Sequence, residues 1–386
     1  MHRSHKIRLY PDRCQEQALR RACGVARFAY NWALEEWNRQ YDAGLKPNKF
    51  SLRRHLNAIK RDQFPWMMEV TKCAPMEAIL NLGRAFDKHF NGKARKPRFK
   101  KKGGMDSFRV GMETDNFRFS GKKIRLPKIG FVSLAEPLRW PSAKLLSVTI
   151  KVIADRWYAI VNMELPESVE AACVGESQVA QVVGIDLGLS SFAVLSTGEK
   201  IGHPRYLKNA LPRLLRLGRA LARKQPASAN WRKAKRVLGR KHQEVVNSRS
   251  HFLHQLTADL TCRFDHISIE GLDVEGLLKM PQLARSIHES GFRQFRSLLE
   301  YKAKKLTVCN RWFPSTKICS GCGNRINKLP LSARSWECPK CGTVHDRDHN
   351  AAKNLAQTAT RPEAISALAA CGDLDGQSLK QEICTK

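Results

Sequence analysis

The chain has 386 residues, and 68 Lys and Arg outweigh 35 Asp and Glu to leave a formal charge of +33. A compact fold with that excess repels itself unless a polyanion neutralises it, which predicts a nucleic-acid partner over a merely basic soluble protein. No 18-residue apolar span, signal peptide or lipidation motif is present, so no membrane partner is expected.

The length allows two or three domains. Twelve cysteines stand mostly singly, so reduced thiols and a metal site are expected in place of disulfides. His5 to Tyr10 alternates as a strand and stops at Pro11, and Asp12 caps a helix whose apolar face runs to about Tyr41. Further helices are predicted around Ser51–Arg61 and Met76–Phe90, making residues 12–92 a small helical domain. Arg27, Tyr30 and Asn31 interleave charge, aromatic and amide groups on it, beside Arg20, Arg21 and Trp32. Singly, each reads as a core aromatic or a solvated basic face; as a set they point to a nucleic-acid backbone, as does Arg8 on the preceding strand. The basic run from Lys93 to Lys102 is broken by Pro97, which predicts a linker or phosphate-tracking arm with Lys96, Arg98, Lys100, Lys101 and Lys102 as contacts. Short strands follow at 107–110, 117–119, 123–126, 131–132, 146–153 and 157–165, with tight turns at Gly130 and Asp155. They suggest a small β-barrel that includes the strand of Tyr10, so that the helical domain is an insertion. Pro166 to Gln178 reads as an interdomain linker.

Val182 to Leu195 is two aliphatic runs around a Gly/Ser bend, a buried hairpin with Asp186 at the end of its first strand. A carboxylate there needs a cation or strong donors. Phe264 to Leu272 is a second strand with Glu270 at its end, again before a glycine. A helix then opens at Asp346-Arg347-Asp348, with acids where the helix dipole favours them. Such carboxylates can hold two hard cations roughly 3.5–4 Å apart for phosphoryl transfer.

Between the first two acids, residues 206–260 are predicted helical and heavily basic, with Arg232, Lys233, Lys235 and Arg236 among cations recurring every three or four positions. With almost no compensating Glu, these faces read as phosphate-facing. Before the third acid, Cys319-Ser320-Gly321-Cys322 and Cys338-Pro339-Lys340-Cys341 are separated by fifteen residues. Two such pairs predict one structural zinc with four sulfur ligands. The other cysteines are expected to be small core or surface residues.

These segments resemble the TnpB (OrfB) family of transposon-associated proteins, themselves similar to compact type V CRISPR effectors. The resemblance rests on Arg27-Phe28-Ala29-Tyr30-Asn31, Pro97-Arg98-Phe99-Lys100, Gly184-Ile185-Asp186-Leu187-Gly188, Ile269-Glu270-Gly271-Leu272, the knuckle at Phe313 to Gly323, and Asp346 to Asn354. It implies an α/β multidomain chain. A wedge-like β-barrel (1–11 and 93–178, with linker) carries a helical recognition domain (12–92). A RuvC-type, RNase H-like nuclease domain (179–310 and 343–360) holds a zinc ribbon (311–342) and precedes a tail (361–386). It implies an RNA-guided DNA endonuclease that binds a guide RNA, recognises a short motif beside double-stranded target DNA, and cuts at a single two-metal magnesium centre; the sequence shows no protein partner required for cleavage. Asp186, Glu270 and Asp348 match the family's acids; Asp348 is selected over Asp346 because it precedes x-Asn. A cytoplasmic bacterial or archaeal location is implied, at the nucleoid when bound to DNA. Two other readings stay open: a DNA transposase acting on transposon ends, and a cleavage-silent RNA-guided repressor.

Overall fold

The structure, a computed structural model, describes residues 2–103, 106–112, 117–166, 181–330 and 332–360. The 361–386 tail, most of the expected linker, and Cys173, Cys371 and Cys384 lie outside them. The chain divides into two compact units, 1–172 and 173–386.

The first unit opens with β1 (His2–Tyr10), then α1 (Arg13–Asp42), α2 (Lys49–Gln63) and α3 (Cys73–Phe90). Asp12 starts α1 through a capping box: its carboxylate accepts from the Gln15 N–H while the Gln15 side chain accepts from the Asp12 N–H. Six strands follow: β2 (Ser107–Gly111), β3 (Arg118–Ser120), β4 (Lys123–Leu126), β5 (Gly130–Leu134), β6 (Lys144–Ile153) and β7 (Arg156–Glu164). All seven join one antiparallel sheet in the order β2-β6-β7-β1-β5-β4-β3. The helices therefore enter the sequence between two strands of one sheet. Gly130 and Asp155 have φ of 86° and 61°, the left-handed turn geometry expected at both. Alternation along β1 buries Ile7 and Leu9 in a core shared with Leu19, Leu34, Leu82, Val161 and Met163.

The second unit contains β8 (Val182–Leu187), β9 (Ser191–Leu195), β10 (Lys200–Gly202), α4 (Tyr206–Ala222), α5 (Ala229–Arg263), β11 (His266–Glu270), α6 (Val274–Leu278), α7 (Pro281–Ser290), α8 (Phe292–Lys302), β12 (Lys305–Cys309), β13 (Ser335–Glu337), β14 (Val344–Asp346) and α9 (Arg347–Thr360). Five strands form a mixed sheet, β10-β9-β8-β11-β12; β8, β11 and β12 are parallel, and β9 and β10 are added antiparallel. Val183, Ile185, Ile267 and Ile269 point into a core with Leu253, Leu260, Phe295 and Leu299 of α5 and α8. The alternate residues are small: Gly184, Ser268 and, on β12, Cys309. On that face α9 packs, with Thr358 bonded to Ser268 at 3.0 Å and to the Cys309 sulfur at 2.9 Å. No helix among the described residues is long and apolar enough to cross a membrane.

Candidate active site and zinc knuckles

The pleat decides where the first two acids point. Asp186 is two residues beyond Gly184 and Glu270 two beyond Ser268, so both project on the α9 side of the sheet. Ile185 pairs with Ile269 in parallel, so the next residue on each strand brings the two carboxylates out side by side at the strand C-termini. Ligand sites of open α/β sheets form at such ends.

Gly184 sets how close the third acid comes. A Cβ there would lie 2.0 Å from the Ala352 carbonyl oxygen and 2.4 Å from the Ala356 nitrogen, so only glycine lets the α9 backbone rest on β8. Ala352 is one turn beyond Asp348 and shares its face, which turns Asp348 toward the strand ends. His349 pins the same turn through Nε2, 3.1 Å from the Ser196 carbonyl.

Electrostatics registers the gathering. Asp186 is pushed well above the usual carboxylate range, by burial first, then by the Glu270 and Asp348 carboxylates, with Arg347 opposing. Burial also raises Glu270. Asp346 is drawn differently. Although burial pushes it up, the Lys200 ammonium at 2.7 Å and the His349 N–H hold it below the usual range. It ends β14, caps α9 and is already paired. Asp348 has Arg334 nearby, at 3.8 Å, and its charge is felt at Asp186.

Hard oxygen donors that repel one another and sit half-buried suit a divalent cation. The four knuckle thiols suit a different ion. Cys319 and Cys341 sulfurs are 3.6 Å apart, as are those of Cys322 and Cys338. A tetrahedron with Zn–S near 2.3 Å has sulfur–sulfur edges of about 3.8 Å. Among the described residues this is the only group of three or more His, Cys, Asp or Glu whose donor atoms all lie within 4.8 Å of one another. The Thr343 hydroxyl and N–H hold the Cys341 thiol down to about 6.

Residues 162–280 match a family profile described as a probable transposase, residues 292–355 one described as a Cas12f1-like TNB domain, and residues 1–46 one described as a helix-turn-helix domain. A Streptomyces pristinaespiralis protein named a putative RNA-guided DNA endonuclease is 34% identical, over 96% of this chain and 91% of its own length. This chain belongs to the TnpB (OrfB) family. An Escherichia coli K12 protein named putative RNA-guided DNA endonuclease InsQ is 28% identical over 98% of this chain and 96% of its own. The fold is also like that of a solved chain from a Cas12f1–sgRNA–target DNA complex, with TM-score 0.55 and 14% identity, covering 92% of this chain and 98% of that one. The residues matched as helix-turn-helix form a strand and one unbroken helix in this TnpB-family chain.

Several expected nucleic-acid contacts are engaged inside the first unit. Tyr30 is only 6% exposed, so the expectation that its ring meets nucleic acid is corrected: it is core. The Asn31 amide donates to the Lys100 carbonyl at 3.0 Å and accepts from the Lys100 N–H at 2.8 Å, and the Lys100 ammonium lies 3.8 Å from the Tyr30 ring centre. Burial lowers the Lys100 pKa. Arg27 pairs with Asp106 at 2.8 Å, and the half-buried Arg8 lies over the Tyr10 ring. The contacts of Lys100 with Asn31 and Tyr30 fasten the basic arm to α1. Lys96, Arg98, Lys101 and Lys102 remain exposed along it, as do Arg232, Lys233, Lys235 and Arg236 on α5.

Sequence reading missed the struts of the site. His345 places Nε2 3.0 Å from the Cys319 sulfur, outside the ligand set but touching it. Asn350 donates to the Ile318 carbonyl and accepts from the Ser320 N–H, and Asn354 donates to the Ser315 and Ile318 carbonyls. The first knuckle is thereby riveted to the helix bearing Asp348. Two asparagines four apart on one helix face were the available signal.

Proposed function

We propose that this chain is an RNA-guided DNA endonuclease: it binds a transposon-encoded guide RNA, recognises a short motif beside its target, and cuts double-stranded DNA at one RuvC-type centre. The observation that carries the reading is the meeting of Asp186, Glu270 and Asp348 from two parallel strand ends and one helix start. The mixed five-stranded sheet with α9 across it supports an RNase H-like nuclease domain, and the seven-stranded sheet is read as the wedge-like barrel around its helical insertion. The names of the relatives at 34% and 28% identity support the same reading.

Magnesium would be held by the three carboxylates and, when bound, would activate water and stabilise the leaving oxygen. The chain's own residues supply placement. Gly184 admits α9, His349 and Asp346 hold its first turn, and the knuckles, whose four cysteines would hold a structural zinc, brace it through Asn350 and Asn354. With about 20 base pairs of heteroduplex reading sequence, the protein has only to grip backbone and open the first pairs, which suits a +33 chain.

The test is to sequence the RNA that copurifies with the protein and then replace its variable segment. Cutting should move to DNA matching the new segment beside the same short motif. Cutting that stays at the old site, or proceeds at full rate after all RNA is digested, refutes the proposal. The probable-transposase description of residues 162–280 favours a second reading, strand transfer at transposon ends. Joined DNA products made without RNA would establish it.

A further inference from the structure

Beside Glu270 lies a cavity of about 360 Å³ that no proposed step uses. Glu270, at the end of β11, forms part of its wall, and Leu187, Ile269, Leu272 and Val274 add apolar surface. Arg293 and Arg296 of α8 line it as well, but each is engaged by a carboxylate, Glu275 at 2.6 Å and Glu300 at 3.0 Å. The lining thus offers apolar flanks, satisfied guanidiniums and an excess of acceptor oxygens.

That composition selects among the parts of a DNA strand. A phosphate would find both arginines already shared with Glu275 and Glu300, and the Glu270 carboxylate beside them, so the lining offers it no unshared cation and one further negative charge. A nucleobase is flat and uncharged, gains by leaving water between aliphatic side chains, and carries ring and amino N–H groups for the carboxylates. The volume is at the small end of ligand pockets, roughly 300–1,000 Å³, which fits one base and no duplex.

We propose that this cavity takes the unstacked base of a nucleotide flanking the scissile phosphate, and so orients the single strand across Asp186, Glu270 and Asp348. The inference rests on the nuclease reading above. Holding one base fixes the register of the phosphate relative to the acids, and it requires the strand to be unpaired at the cut.

The experiment uses the full chain with its copurified RNA and target strands carrying one abasic site, stepped nucleotide by nucleotide through the cut region. The wild-type complex should lose cutting by about five-fold or more at one position next to the cut, the lower end of what one held base contributes, and little elsewhere. Ser297→Trp, from an exposed cavity-lining position on α8, should slow cutting of intact DNA by a similar factor and abolish the dependence on that base. Val274→Phe, which fills the cavity from α6, should act alike, and thermal melting of both variants identifies one that fails to fold. A flat abasic profile in wild type, or intact DNA cut at the wild-type rate by a folded Ser297→Trp protein, overturns the base pocket while leaving the nuclease standing. Wild-type protein that cuts neither the abasic strands nor intact target DNA overturns both.

Discussion

At Asp186 the fold holds a carboxylate where it resists ionisation, with Glu270 and Asp348 as neighbours and Arg347 only partly opposing them. A carboxyl whose folded pKa is raised contributes stability that is present below its unfolded value and lost as pH rises through the folded value. The metal-free protein should therefore be destabilised by its charged centre near neutral pH. Asp186→Asn should raise the melting temperature of metal-free protein at neutral pH, and the gain should vanish at acid pH, where both forms are uncharged. The same variant should cut DNA slower by about 10²–10³-fold, as when a charge-stabilising group leaves a reacting centre. Single Ala variants at Glu270 and Asp348 should be equally inactive yet bind RNA and target. Asp346→Ala is the contrasting case: it loses a cap, worth about 0.5–2 kcal/mol, and an ion pair to Lys200, so stability should fall while cutting largely persists. An inactive Asp346 variant beside an active Asp348 variant would reverse the assignment.

At the scale of elements, α9 couples the zinc knuckles to the acids. Gly184→Ala would put a methyl group into the α9 backbone, and relieving the clash must shift the helix. Zinc content by mass spectrometry should be unchanged while cutting is lost; wild-type cutting would contradict the packing. Removing Cys319 or Cys338 reaches the same point from the other side. Zinc, about one ion per chain in the parent protein, should be lost, and with it binding energy of roughly 10–16 kcal/mol that a loop of this size cannot replace with a core. Asn350→Ala should fall between, keeping zinc but weakening the rivet by about 1–3 kcal/mol, because a buried N–H and a carbonyl lose their partner. Slower cutting with full zinc would separate placement from metal loss.

Across the whole molecule, the proposed guide RNA would neutralise part of the +33 charge, so melting temperature should rise with guide concentration by mass action. The basic arm offers the cleanest test of backbone binding. Replacing Lys96, Arg98, Lys101 and Lys102 together by Ala should weaken every target alike, and the slope of log affinity against log salt should become shallower by roughly one unit for each phosphate that the variant no longer neutralises. Lys100 is left out because its ammonium sits on Tyr30 and its backbone on Asn31. Asn31→Ala should weaken binding as well, by freeing the arm without removing a charge.

Local chemistry alone determined the strand-end carboxylates, the paired knuckles, the long capped helix and the basic arm. Alternation, cap residues and cysteine spacing are short-range signals, read within a few residues. Tertiary structure decided which of those parts meet. The 84 positions from Asp186 to Glu270 conceal a parallel pairing that sets them side by side, and the small residues Gly184, Ser268 and Cys309 became meaningful only as the bed of α9. Tyr30 looked like a nucleic-acid contact because the sequence cannot show Lys100 folding back 70 residues later to cover it. His345 looked idle until β14 carried it to the Cys319 sulfur. Contacts between distant segments depend on which faces bury apolar surface together, a property of the whole packed chain that no window of sequence contains.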